Sequence, residues 1–174
     1  MDLRYPIGPF SFEGPLTEAQ RQHVIDQIEE TPGRLRTAVE SLSPQQLDTP
    51  YRPAGWTVRQ VIHHVPDSHL NSYIRLKLAL TEDVPTIKPY REERWAELED
   101  ARHAPIDMSL TLLDSLHRRW VLLLRSLTTQ DFARTFFHPE LGTVSLEQYI
   151  SLCAWHGRHH VAHITSLRER MGWV

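Results

Sequence analysis

The chain has 174 residues with 40% hydrophobic and 24% charged side chains, which describes one globular domain spanning 1–174 and excludes a mostly disordered polypeptide. Lys and Arg together number 19 against 22 Asp and Glu, so no basic excess exists to neutralise phosphates and a nucleic-acid partner is not expected. No apolar run approaches the roughly 18 residues of a membrane span, the first residues carry no apolar signal segment, and the single Cys153 allows no intrachain disulfide, so the expected compartment is the cytoplasm.

Residues 1–16 hold Pro6, Gly8, Gly14 and Pro15 and read as an irregular arm that must pack on something or fray. From Thr17, apolar residues recur at three and four through Val24, Ile25, Ile28, Leu35, Ala38, Val39 and Leu42. Thr31-Pro32-Gly33 interrupts this pattern, either as the cap and first turn of a new helix or as a kink. Ser43 to Leu47 is a short capped turn, and Thr49 to Gly55 a loop. A second long helix is predicted from Trp56 to Leu80, with Thr57 and Gln60 as a capping box and an irregularity at Pro66. Thr81 to Tyr90 is a crossing loop, Glu92 to Ala101 a short helix, Asp107 to Leu127 the third long helix, and Arg134 to Val144 a small hairpin. Ser145 caps the last long helix, with Gln148 at the box position, and Gly172 ends it. Four long amphipathic helices with long connections make an all-α four-helix bundle, an architecture that often holds metal sites between facing helices.

Histidine is the outlier. The chain has 11, with six in two clusters: His63-His64 on the second helix and His156, His159, His160 and His163 on the last. His156/His160 and His159/His163 both have the four-residue spacing that places two imidazoles one turn apart on one helix face. The apolar stripe through Tyr149, Ile150, Cys153, Ile164 and Leu167 runs through His156 and His160 and leaves His159 and His163 on its flank, as supporting, interface or solvated residues. The core-facing pair is therefore the candidate metal pair. A catalytic metal usually has three protein ligands. The third must come from another helix, where His64, at the edge of the inward stripe, and His117, on the inner face of the third, are both candidates; His63 falls nearer the outside. Cys153 reads as packing, Trp56, Trp120 and Trp155 as core, and Asp67 as a group that could orient a ligand imidazole.

Gly55-Trp56-Thr57-Val58-Arg59-Gln60-Val61-Ile62-His63-His64-Val65 resembles the second-helix motif of the DinB-like proteins, a Trp followed eight residues later by a His, and His156 and His160 match its other half. Leu47 to Arg52, Asp67-Ser68-His69, Asn71 to Arg75 and Arg170 to Trp173 are similar to the YfiT-type branch of that superfamily, which is linked to metal-dependent hydrolysis and to bacillithiol transfer. The resemblance implies a DinB/YfiT-like four-helix bundle, a homodimer, and one divalent ion, zinc or nickel, held by His64, His156 and His160. It thereby selects between the two third ligands that spacing leaves open.

Three imidazoles leave coordination positions free, an arrangement for catalysis rather than for structure. The expected activity is that of a thiol S-transferase: a metal-activated thiol, bacillithiol by resemblance, attacks an electrophile. Arg59, Arg75 and Arg158 are the candidate contacts for the acidic groups of that thiol. The alternatives are a metal-dependent hydrolase with activated water as nucleophile, for which Asp67 is the one acid/base candidate, and a non-enzymatic metal-binding stress protein. No individual catalytic acid or base is assigned.

Overall fold

The computed structural model describes residues 2–173. Four long helices carry the fold: α1 (Glu18–Val39), α3 (Val58–Thr81), α6 (Ile106–Arg125) and α8 (Leu146–Met171). Between them lie the short helices α2 (Pro44–Leu47), α4 (Glu92–Trp95), α5 (Glu99–His103) and α7 (Thr129–Phe132), and an antiparallel hairpin of β1 (Thr135–His138) and β2 (Gly142–Ser145). The long helices pack in the cyclic order α1, α6, α3, α8, so the consecutive long helices α1 and α3 stand on a diagonal of the bundle. The long excursions between helices make that crossing possible.

Local chemistry fixes the helix starts. Thr17, Ser43, Thr57 and Thr128 each accept the backbone N–H three residues on, and Gln20, Gln46, Gln60 and Asp131 return the bond to the cap. At α8 the hydroxyl of Ser145 accepts from the Gln148 N–H without the return bond, so the expected box is half formed. Gly172 closes α8 in the left-handed conformation, at φ 63°.

Two expectations are corrected. Thr31-Pro32-Gly33 does not start a new helix, the first of its two readings: α1 runs through, Pro32 is buried inside it, and the Thr31 hydroxyl donates back to the Gln27 carbonyl instead of capping. The Glu92–Ala101 segment divides into α4 and α5, because Glu97 and Leu98 form a turn between them.

The core has two apolar halves along the bundle. One gathers Ile28, Leu76, Trp120, Phe136, Leu146 and Ile150. The other gathers Leu35, Val58, Ile62, Leu113, Ile164 and Leu167. On every long helix the residues between the halves are special: Thr31 and Pro32 on α1, His69 on α3, His117 on α6, His156 and His160 on α8, with His64 joining them from the adjoining edge of the second half. The bundle therefore carries a transverse histidine layer between two oily plugs. Burying that many imidazoles is costly unless each finds a partner.

The N-terminal arm packs on its own chain. Trp155 Nε1 donates to the Gly8 carbonyl at 3.2 Å, Phe10 lies against Trp155 with ring centroids 6.0 Å apart, and the Leu16 N–H donates to Glu147 Oε2 at 3.0 Å. Glu147 also accepts from Arg21 Nη2 at 2.8 Å and Nε at 3.1 Å, tying α1, α8 and the arm together in a buried ion pair.

Candidate metal centre

His64 comes from the second turn of α3, His156 and His160 from the middle of α8. The inward stripe of each helix carries them to one point, where one ligand nitrogen from each lies within 4.8 Å of the other two. His64 Nε2 and His156 Nε2 are 3.1 Å apart. Two imidazoles on one tetrahedral zinc, at bond lengths of about 2.0–2.1 Å, place their donor atoms about 3.3 Å apart. The His64–His156 pair fits a divalent ion, and the His160 donor lies within 4.8 Å of both. The T-shaped contact of His156 and His160, with centroids 4.5 Å apart, is the expected packing of rings one turn apart that aim at a common point. Trp56 leans over His64 at 4.7 Å and is half-buried, so it serves as a wall of the centre rather than as deep core.

The donors are neutral. Burial, with His159 and His163 as neighbours, lowers His64 to about 4, and burial beside the other imidazoles holds His156 and His160 well below the ordinary histidine value. Lone pairs are thus available at neutral pH, and no carboxylate belongs to the cluster among the described residues.

His64 and His160 are buried, whereas His156 is half-buried and exposes an edge to a cleft of about 220 Å³. Ser72, Arg75, Tyr90, Tyr149 and Cys153 also line this cleft. Arg75 donates to the Tyr149 hydroxyl at 3.0 Å and to the Lys88 carbonyl at 3.3 Å, and makes no ion pair among the described residues. Burial pushes the Cys153 thiol up to about 12 and the Tyr149 phenol up to about 12, so both stay protonated. Cys153 remains outside the ligand cluster.

Of the three arginines proposed for substrate contact, Arg75 alone reaches the cleft. Arg59 is held by Asp48 at 2.7 Å and by the Ala104 carbonyl, in a separate depression. Arg158 is exposed on the outer side of α8, beside Arg34 and Ile7. Asp67 does not orient an imidazole, since its carboxylate bonds to no histidine; it is half-buried and raised to about 6 by burial and by the nearby Asp100. His63 is buried rather than outward, with Nδ1 2.7 Å from Ser109 Oγ and Nε2 3.2 Å from the Ala104 carbonyl. His159 and His163 are buried as well, covered by the arm and by Tyr51.

His117 is inward, as its face predicts, but it meets His69 at 2.7 Å instead of the ligand cluster, and His69 in turn meets His156 at 3.1 Å. Residue spacing did not single out His69. The signal was there, because Val65, His69, Ser72 and Leu76 follow one another by four, three and four along the inward face of α3.

No helix among the described residues is long and apolar enough to cross a membrane. The chain is 60% identical over 172 residues, 99% of both chains, to proteins of Bacillus cereus (strain B4264) and Bacillus mycoides (strain KBAB4) that carry the name "Putative metal-dependent hydrolase". Among solved structures it superposes on YfiT from Bacillus subtilis, described as "a probable metal-dependent hydrolase with an unusual four-helix bundle topology", with a TM-score of 0.98, 50% identity and complete coverage of both chains. The four-helix bundle protein TT2238 shares the fold at 22% identity and a TM-score of 0.56, over 81% of this chain and 94% of that one. The DinB superfamily model matches residues 27–164, a span that contains the three converging histidines, and with these relatives it makes the chain a member of the DinB superfamily.

Proposed function

We propose that this protein is a metal-dependent thiol S-transferase, in which His64, His156 and His160 hold one zinc or nickel ion and an external low-molecular-weight thiol is the nucleophile. The observation that carries the reading is the charge-neutral, all-imidazole donor set, whose half-buried member His156 opens on a cleft lined by Arg75 together with the carboxylates Glu92 and Glu140. Neutral donors leave the charge of a divalent ion uncompensated, so an anionic ligand is favoured, and zinc suits a soft thiolate. When bound, the ion lowers the pKa of a coordinated thiol or water.

The chain's own residues do the rest. Arg75, oriented by Tyr149, faces the position of an acidic group on the thiol. Trp56 and the arm exclude water from the far side of the ligand cluster. Cys153, protonated and packed, does not compete as nucleophile. Bacillithiol is the proposed thiol on the strength of the family resemblance, and the partner substrate is a small electrophile. We extend the proposal to a homodimer, which sedimentation at micromolar concentration tests directly.

A hydrolase is the second reading. It has two supports: the names carried by the relatives, and Asp67, whose carboxyl near 6 is suited to exchange a proton near neutral pH and lies close enough to act on Tyr90 of the cleft. The deciding experiment follows loss of a thiol-reactive electrophile by the metal-loaded protein with bacillithiol, glutathione, cysteine or no thiol. Turnover that requires a thiol supports the transferase. Ester or amide cleavage at full rate without thiol, lost in Asp67→Asn, replaces it with the hydrolase. Bound metal with no turnover on either panel leaves a metal-binding protein without catalysis.

A further inference from the structure

The histidines of the central layer form two hydrogen-bonded chains, and each chain ends on a backbone carbonyl. In the first, His117 Nδ1 lies 2.6 Å from the Ile28 carbonyl oxygen, His117 Nε2 lies 2.7 Å from His69 Nδ1, and His69 Nε2 lies 3.1 Å from His156 Nδ1. In the second, His163 Nε2 lies 3.2 Å from the Arg4 carbonyl oxygen and His163 Nδ1 lies 3.4 Å from His160 Nδ1.

A carbonyl only accepts, and a neutral imidazole has one N–H and one lone pair. The carbonyl therefore sets the direction of every bond behind it. His117 donates from Nδ1 to Ile28, so its Nε2 accepts from His69 Nδ1–H. The Nε2 of His69 then accepts from His156 Nδ1–H, which leaves His156 Nε2 with a bare lone pair. In the second chain His163 donates from Nε2 to Arg4, its Nδ1 accepts from His160 Nδ1–H, and His160 Nε2 is left bare. Both α8 donors are brought by different routes to the same tautomer.

The Ile28 oxygen is free for this role because of a sequence feature. In an α-helix that carbonyl accepts the N–H of the residue four positions on, which here is Pro32, and proline has no N–H. The buried proline inside α1 hands the oxygen to His117. The Arg4 oxygen is supplied by the N-terminal arm, outside any helix.

We propose that His69, His117 and His163 are positioning residues that lock His156 and His160 as Nδ1–H tautomers, with Nε2 aimed at the metal, and that the Ile28 and Arg4 carbonyls set the polarity of the two locks. The purpose assigned to the locks rests on the metal-centre reading; their polarity does not. Partners that fix the tautomer and orientation of a ligand histidine alter metal affinity by about 10–100-fold.

The test has two readouts. Long-range proton–nitrogen NMR of the metal-free full-length protein near neutral pH reports which ring nitrogen of each histidine is protonated. Nδ1–H is expected at His117, His69, His156 and His160, and Nε2–H at His163. An Nε2–H tautomer at His156 or His160 overturns the proposal. The second readout is zinc affinity by chelator competition. His69→Leu and His163→Leu remove the acceptors behind His156 and His160 and should each weaken zinc about 10-fold or more. His69→Gln and His163→Gln, whose amide oxygens still accept, should recover most of that loss. Leu variants that fold and bind zinc as tightly as the wild type also overturn it. If the wild type takes up no zinc, the metal-centre reading fails while the NMR result still decides the polarity of the chains.

Discussion

Gly157 of α8 rests directly on Thr31 of α1: a Cβ built on the glycine would stand 2.7 Å from both Thr31 Cγ2 and Thr31 Oγ1. The glycine follows the candidate ligand His156, so the closeness of α1 and α8 at this level helps to set where the two α8 histidines sit. Gly157→Ala gains up to about 1 kcal/mol of helix propensity but forces the helices apart at the metal layer, and overpacking of this kind costs about 1–3 kcal/mol. A net loss of stability in urea denaturation and weaker zinc binding are expected. Adding Thr31→Ala should restore part of both, because it removes the two nearest atoms. An unchanged Gly157→Ala protein would show that the contact yields freely.

Replacing His64, His156 or His160 with Ala should each abolish stoichiometric metal, read by elemental analysis after purification in zinc-supplemented medium. His159→Ala should retain it, since His159 lies outside the converging cluster, its Nδ1 has no hydrogen-bond partner among the described residues, and its ring packs against Trp155 and His163. Full retention in any of the first three variants removes that residue from the centre.

Metal-free protein should lose stability on mild acidification. Burial lowers His64, His117, His159 and His163 to about 4 in the folded chain, against an ordinary value of 6.5. Between those values the unfolded chain binds protons that the folded chain does not, so stability is complete above about pH 6.5 and declines as pH falls toward 4. Each such histidine adds a slope of up to about 1.4 kcal/mol per pH unit. Urea midpoints at pH 7.5, 6.0 and 5.0 measure it, and a flat profile over that range contradicts the buried neutral layer.

Glu147→Gln should destabilise the fold. The carboxylate takes two bonds from Arg21 and one from the Leu16 N–H in a buried setting, and removing its charge leaves the Arg21 guanidinium uncompensated. Breaking one side of a buried pair typically costs about 3–5 kcal/mol. Replacing both partners, as Arg21→Met with Glu147→Leu, should cost less than the single change. Thermal denaturation of the two variants tests the ordering.

The long helices, their caps and the hairpin were legible because they depend on local chemistry: Thr57 with Gln60, Gly172 after α8, the apolar repeats at three and four. The convergence of His156 and His160 was equally legible, since one helix face carries both. Spacing left the third histidine open, because His64 and His117 both face inward and the helix order around the bundle decides which one meets α8; only the resemblance carried by Trp56 and His64 pointed to His64. The three arginines could not be told apart for a related reason. Arg59, Arg75 and Arg158 are alike in sequence, and their fates were set by distant partners: Asp48 for the first, the cleft for the second, the outer surface for the third. Pro32 was read as a disruption because proline removes a donor; what sequence alone could not show was that His117 would use the acceptor left over.

The arm and α8 give the protein a chronology. Arg4 meets His163 across 159 positions of sequence, and His64 meets His156 across 92. During synthesis α1, α3 and α6 emerge without either α8 donor, and the Arg4 carbonyl finds His163 only after α8 has been made. The histidine layer therefore closes only when the final helix docks. A nascent chain arrested before residue 156 holds His64 alone of the three converging histidines, so their convergence is a property that the chain acquires only once α8 has docked.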